Sequence, residues 1–177
     1  MARSPYHVLE NRPHFVTCTV VNWLPLFYQI EIAQIILDSL QFMQDNQRLD
    51  LSGYVIMENH LHLLVSAANL SKEMGNFKSF TARSIINWLQ QNNFHHLLQQ
   101  LKIYKLQYKT EQEYQVWQEG FQPQAIFSDE VFRQKLEYIH NNPLRRGYVD
   151  HPAHWRYSSY RNYIGEPEVL RLDKIDF

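Results

Sequence analysis

Apolar and polar positions recur along this chain with periods that change from segment to segment, and the changes mark its elements. Residues 14–22 are rich in β-branched side chains (Val16, Thr17, Thr19, Val20, Val21) and predict a strand. Across residues 31–46, Ala33, Ile36, Leu37, Leu40 and Met43 return at helical spacing, which predicts an amphipathic helix. Residues 51–57 and 60–66 read as two strands separated only by Glu58 and Asn59, a tight hairpin. Ser71 is placed to cap a helix running to about Gln91, with Phe77, Ile85, Trp88 and Leu89 on its apolar side. The glutamine-rich residues 92–120 carry no clear period, and a short strand is expected at 114–117. Ser128 then caps a helix whose first turn holds Asp129 and Glu130, favourable at the positive end of the helix dipole, and Pro143 is expected to stop it. Residues 148–177, with Pro152 and Pro167, are expected to be a C-terminal tail of loops packed on the rest.

This order predicts an α+β fold of the ferredoxin-like kind, an antiparallel sheet with helices packed on one face. A length of 177 residues predicts a single domain spanning 1–177. No stretch approaches the roughly 18 apolar residues of a membrane span, and the start of the chain lacks the apolar run of a secretory signal. A cytoplasmic protein that does not enter a membrane is therefore expected. The lone Cys18 lies in an apolar segment, where a thiol behaves as a small hydrophobe rather than a nucleophile.

A net charge of −1 does not mark a nucleic-acid binder, but the distribution of charge changes the picture. Residues 72–109 carry six cations (Lys72, Lys78, Arg83, Lys102, Lys105, Lys109) against the single acid Glu73. Residues 140–163 carry Arg145, Arg146, Arg156 and Arg161 against Asp150. A basic surface can therefore coexist with overall neutrality, although an ordinary mixed-charge surface has the same composition.

Candidate chemistry concentrates in two strings. In residues 57–65 the side chains of a strand alternate, so His60 and His62 share one face while Leu61 and Leu63 anchor the other. Two imidazoles about 7 Å apart on one strand face can converge on a metal ion. The alternative is a pair of polar residues on a solvated face. Leu64, which stands where the third alternating histidine belongs, argues strongly against a histidine-triad nucleotide hydrolase. On the helix beginning near Asp129, Phe132, Leu136 and Ile139 form an apolar stripe, and Tyr138 lies off it with Asn142 one turn further on. A phenol and an amide oxygen so spaced can offer a nucleophile and a metal ligand to one point; a packing tyrosine is the alternative.

Taken together, the string at 58–64 (Glu58, Asn59, His60, Leu61, His62, Leu63, Leu64), the string at 117–121, the string from Tyr138 to Gly147 and the string from His154 to Ser159 resemble the REP-associated tyrosine transposases, which belong to the HUH superfamily of single-strand DNA nucleases and transposases. The resemblance runs from about Phe15 to Tyr163 and implies a transposase and endonuclease acting on single-stranded or hairpin-forming repeat DNA. It implies Tyr138 as catalytic nucleophile through a 5′-phosphotyrosine link, and His60, His62 and Asn142 as ligands of a divalent metal, Mg²⁺ or Mn²⁺. Mixed nitrogen and oxygen ligation suits Mn²⁺ better. Glu58 is a candidate carboxylate behind the metal ligands. Lys78, Arg83, Arg145 and Arg146 are expected along the DNA path. Trp155, Tyr157 and Tyr160, interleaved with Arg156 and Arg161, are expected either as base-stacking platforms or as packing anchors. Relatives of this kind are monomers or homodimers. The competing functions are a domesticated, non-cleaving DNA-binding module and a metal-dependent nuclease that uses water.

Overall fold

Four strands form one sheet in the order β2-β3-β1-β4: β1 (His14–Thr19), β2 (Asp50–Ile56), β3 (His60–Ser66) and β4 (Gln124–Ala125). All three pairings are antiparallel. The structure is a computed structural model and describes residue 9, residues 12–120 and residues 123–174. Phe121 of the 117–121 string and both ends of the chain lie outside the described residues. The helices are α1 (Ile30–Asp45), α2 (Leu70–Gln91), α3 (His95–Ile103), α4 (Asp129–Arg145) and α5 (Tyr160–Ile164). The order β1-α1-β2-β3-α2 followed by β4 is the α+β arrangement expected, a split β-α-β of ferredoxin-like type.

Strand alternation sorts the side chains into two cores. Val16, Cys18, Tyr54, Ile56, Leu61, Leu63 and Val65 face α1 and α2 and bury against Ile36, Leu40, Met74, Phe77 and Ile85. Phe15, Val55, Met57 and Leu64 face the opposite way and meet Ile139, with Phe132 and Leu136 of α4 packed beside them. Helices therefore cover both faces rather than one. The stripe on α4 is real, and it needs a sheet face of its own because the first is filled by α1 and α2. Gly53 on β2 lets α4 approach: a Cβ there would lie 3.0 Å from Leu136 Cδ1 and 3.1 Å from Leu64 Cδ1.

Several local expectations shift. Asn69, not Ser71, caps α2, its side chain accepting from the Lys72 N–H at 3.0 Å. Ser128 caps α4 as expected, accepting from the Val131 N–H. Pro143 does not stop α4 but sits inside its last turn, where only one ladder bond is lost, and the helix reaches Arg145. The short strand falls at Gln124–Ala125; the 114–117 stretch contributes only a bridge from Trp117 to Val20. Helix α3 lies in the stretch without a period and buries only Leu98 and Leu101. The tail after Gly147 is partly ordered as α5 and extends the sheet edge, with Ile56 N–H donating to the Tyr157 carbonyl and Ser159 N–H to the Tyr54 carbonyl. No helix among the described residues is long and apolar enough to cross a membrane.

The cation-rich stretch is used largely to pin residues 108–120. Lys102 pairs with Glu113 and Lys109 with Glu119, each at 3.1 Å. Lys105 donates to the Lys109 carbonyl, Lys78 to the carbonyls of Gln118 and Gly120, and Tyr108 bonds Glu119. Cys18 is buried, and burial pushes its thiol up to about 11, which removes thiolate chemistry there.

Candidate active site

The central strand β3 holds His60 and His62 on the face covered by α4, opposite Thr19 and Thr17 of β1 respectively. Their rings lie edge to face with centroids 4.8 Å apart. Both side chains are buried, and hydrogen bonds on the δ side fix each ring. His60 Nδ1 is 2.6 Å from Asn59 Oδ1. An amide oxygen only accepts, so Nδ1 carries the proton and Nε2 keeps its lone pair. His62 Nδ1 is 2.8 Å from the Thr17 hydroxyl, while its Nε2 is buried with no hydrogen-bond partner among the described residues. The His62 ring stacks on Phe15 at 5.1 Å. Burial lowers the pKa of His60 to about 4, with Glu58 opposing and Arg146 adding to the shift. Burial, His60 and Lys135 together lower His62 to about 3. Both imidazoles are neutral at physiological pH, the form that binds metal.

Helix α4 delivers Tyr138 to the rim of this pair. Its ring is 5.3 Å from that of His62 and 5.9 Å from Phe15, both edge to face, and the residue remains 39% exposed. The Arg145 guanidinium lies 5.7 Å from the Tyr138 ring centre. Asn142 is buried one turn beyond Tyr138, in unbroken helix despite the following proline. The structure thus brings Tyr138, His60 and His62 together and sets Asn142 on the same helix.

Glu58, at the β2–β3 turn, is 7% exposed, with Oε1 3.7 Å from Arg146 and Oε2 lacking a hydrogen bond among the described residues. Among the described residues no group of three or more His, Cys, Asp or Glu is arranged to hold a metal ion. A cation on the histidine pair would need other ligand types to complete its shell, such as the Asn142 amide or water. A bare buried imidazole nitrogen beside a second one with its proton fixed on the far side suits that use.

The expected DNA-path cations separate. Arg145 and Arg146 stand at the end of α4, Arg145 over the Tyr138 ring and Arg146 3.7 Å from Glu58 Oε1. Lys78 and Arg83 lie on α2, across the sheet, and the Lys78 ammonium is held by two carbonyls. Alternation of charge along the sequence does not reveal which sheet face a helix will take. Trp155 packs against the α4-side core, donates Nε1–H to the Ile56 carbonyl at 3.0 Å and stacks on Tyr148, so it anchors the tail. Arg156 is exposed beside it. Arg161 donates to the Ala153 carbonyl. Sequence reasoning missed Thr17 and Trp23. Thr17 was legible as the residue facing a histidine across a strand pair; Trp23 lies in an irregular turn with no periodic signal.

No family model matches the chain. A curated protein of Haemophilus influenzae, named for the REP-associated tyrosine transposases, is 27% identical over 109 residues, which is 62% of this chain and 57% of that protein. The chain thus spans little more than half the length of this curated relative. Among solved structures, one of a REP-associated tyrosine transposase bound to a REP hairpin superposes with a TM-score of 0.64 at 17% identity, covering 100% of this chain and 95% of that one. A Deinococcus radiodurans protein described as a transposase is more distant, with a TM-score of 0.44 and 17% identity over 80% of this chain and 97% of that one. The resemblance drawn from the motifs agrees with these comparisons: the chain is similar in sequence to a curated REP-associated tyrosine transposase and shares the fold of a solved one.

Proposed function

We propose that the protein cleaves and rejoins single-stranded or hairpin-forming DNA, with Tyr138 as nucleophile. The observation that carries this reading is the meeting of Tyr138 with His62: a partly exposed phenol on a rigid helix, its ring 5.3 Å from an imidazole whose Nε2 is buried and unpartnered. The solved structural neighbour's binding of a REP hairpin favours the same substrate class.

His60 and His62, with Asn142, would hold a divalent cation, Mn²⁺ or Mg²⁺. Such an ion supplies polarisation and orientation of a phosphate diester, an effect on the order of several kcal/mol. The Tyr138 oxygen attacks phosphorus; the Tyr138 O–P bond forms as the P–O3′ bond breaks. The phenolic proton leaves to solvent and the departing 3′ oxygen takes one up, so a free 3′-hydroxyl and a 5′-phosphotyrosine result. The diester's bond energy is thereby retained for rejoining. Helix α4 holds the phenol in line better than a loop would. Arg145 and Arg146, at the end of α4, and the exposed Arg156 are read as phosphate contacts, fixing register rather than reading bases. Lys78 and Arg83 are not read as part of that path.

The test is to incubate the protein with single-stranded hairpin DNA and Mn²⁺ and to resolve the products on a denaturing gel. A covalent protein–DNA adduct is expected. Hydrolysed DNA without an adduct would replace this reading with a water-using nuclease, and unchanged but bound DNA would replace it with a non-cleaving module.

A further inference from the structure

Trp23 is the largest exposed side chain whose position neither core explains. It lies in the 3-10 turn Val21–Trp23 after β1 and is 53% exposed, whereas its neighbour Leu24 packs into the α1–α2 core. Asn22 and Trp23 both adopt left-handed backbone, with φ of 50° and 54°. A bulky side chain in that region is uncommon, and successive non-glycine residues there need a surrounding structure that insists on them. Here it does. Val21 N–H donates to the Val116 carbonyl at 2.8 Å, Trp23 N–H to Val20 at 3.1 Å, and Asn59 Nδ2 to the Trp23 carbonyl at 3.3 Å. The same Asn59 side chain accepts from His60 Nδ1. The turn is therefore wired to the histidine that it borders, and the strained backbone presents an indole edge to face with His60 at 5.9 Å.

The rings of Trp23, His60, His62 and Tyr138 follow one another with centroid spacings of 5.9, 4.8 and 5.3 Å. Tyr138 closes one end of this row and Trp23 the other. A phosphate held at the histidines and attacked from the Tyr138 end carries its neighbouring nucleotide toward the Trp23 end. An exposed indole fixed there offers what an unpaired base requires, a flat π surface that is tolerant of base identity.

Resting on the function proposed above, we propose that Trp23 is a stacking platform for an unpaired base of the nucleotide flanking the scissile phosphate. It is a binding residue and takes no part in bond making. Its contribution is to seat the strand so that the phosphate lies at the histidine pair.

The probes are a 12-residue oligothymidylate and a 12-residue abasic oligonucleotide with the same phosphates and no bases. Trp23→Phe keeps a π face, and Trp23→Leu keeps apolar bulk without one. For the oligothymidylate, Trp23→Leu is expected to weaken binding about 5- to 100-fold, the range of one lost base–aromatic stack, and Trp23→Phe less than about threefold. On the abasic probe all three proteins should bind alike. Equal binding of the oligothymidylate by wild type and Trp23→Leu overturns the proposal, as does an equal loss on both probes, which would make the effect structural. A wild-type protein that binds neither probe would instead overturn the functional reading on which the proposal rests.

Discussion

Replacing Thr17 by valine removes one oxygen from the candidate site and little else, because the two side chains are nearly the same shape. The hydroxyl lies 2.8 Å from His62 Nδ1 on the strand pair that sets the two residues opposite one another. If Nδ1–H donates to this oxygen, Nε2 keeps its lone pair for a cation, so Thr17 orients the ring and selects its tautomer. Its loss leaves a buried ring nitrogen without a partner, a cost of about 1–3 kcal/mol, partly offset by the added apolar methyl. The stack of His62 on Phe15 remains, so the ring should stay near its place. Urea unfolding is expected to show a loss of about 1–2 kcal/mol at unchanged m-value. Calorimetric titration should show Mn²⁺ affinity reduced about 10- to 100-fold, the usual effect of losing a partner behind a metal-binding histidine. Thr17→Ser should restore both. If Thr17→Val binds Mn²⁺ as tightly as wild type, His62 is not held for metal by Thr17 and the site has been assigned wrongly.

Three further outcomes follow from the same geometry. Gly53→Ala places a Cβ 3.0 Å from Leu136 Cδ1 and 3.1 Å from Leu64 Cδ1, the tips of two packed side chains that must each give by a few tenths of an ångström, so the urea midpoint should fall; an unchanged or raised midpoint would mean that these leucines turn aside without loss. Burial lowers the pKa of His140 to about 4, so between about pH 6.5 and 4 the unfolded chain takes a proton that the folded chain refuses, and stability present at pH 7 is lost as pH falls through that window. His140→Phe should therefore reduce the slope of unfolding free energy against pH by about 1.4 kcal/mol per pH unit near pH 5.5, and an unchanged slope would show that His140 does not titrate in this way. For Arg145→Ala, Arg146→Ala, each lost phosphate contact should flatten the dependence of log affinity for single-stranded DNA on log salt by about 0.7; a wild-type slope would leave both arginines off the DNA path.

What could be read from the sequence follows what is periodic. Alternation at His60, Leu61, His62 and Leu63 placed the histidines on one face, and β3 carries them there. The stripe Phe132, Leu136, Ile139 set Tyr138 off the core side of α4, and it lies at the rim. What could not be read depends on which sheet face each helix takes. Lys78 and Arg83 were grouped with Arg145 and Arg146 by sign of charge, yet α2 and α4 pack on opposite faces. The cations at Lys102, Lys105 and Lys109 suggested a basic surface, but Glu113, Glu119 and the Lys109 carbonyl, acceptors that the sequence does not single out, bind them within the chain. Trp23 was invisible because its placement comes from left-handed backbone in an irregular turn, a property set by tertiary hydrogen bonds rather than by residue type.

The most direct measurement of the central claim is peptide mapping by mass spectrometry of the protein after reaction with single-stranded hairpin DNA and Mn²⁺, run beside Tyr138→Phe. That substitution removes one hydroxyl from a partly exposed ring, so folding and DNA affinity should be retained. A nucleotide carried through its 5′-phosphate on Tyr138 is expected in the wild type, with no adduct in the variant. A nucleotide mapped to Tyr104, Tyr108, Tyr114, Tyr148 or any other residue, or an adduct that still forms with Tyr138→Phe, would contradict it.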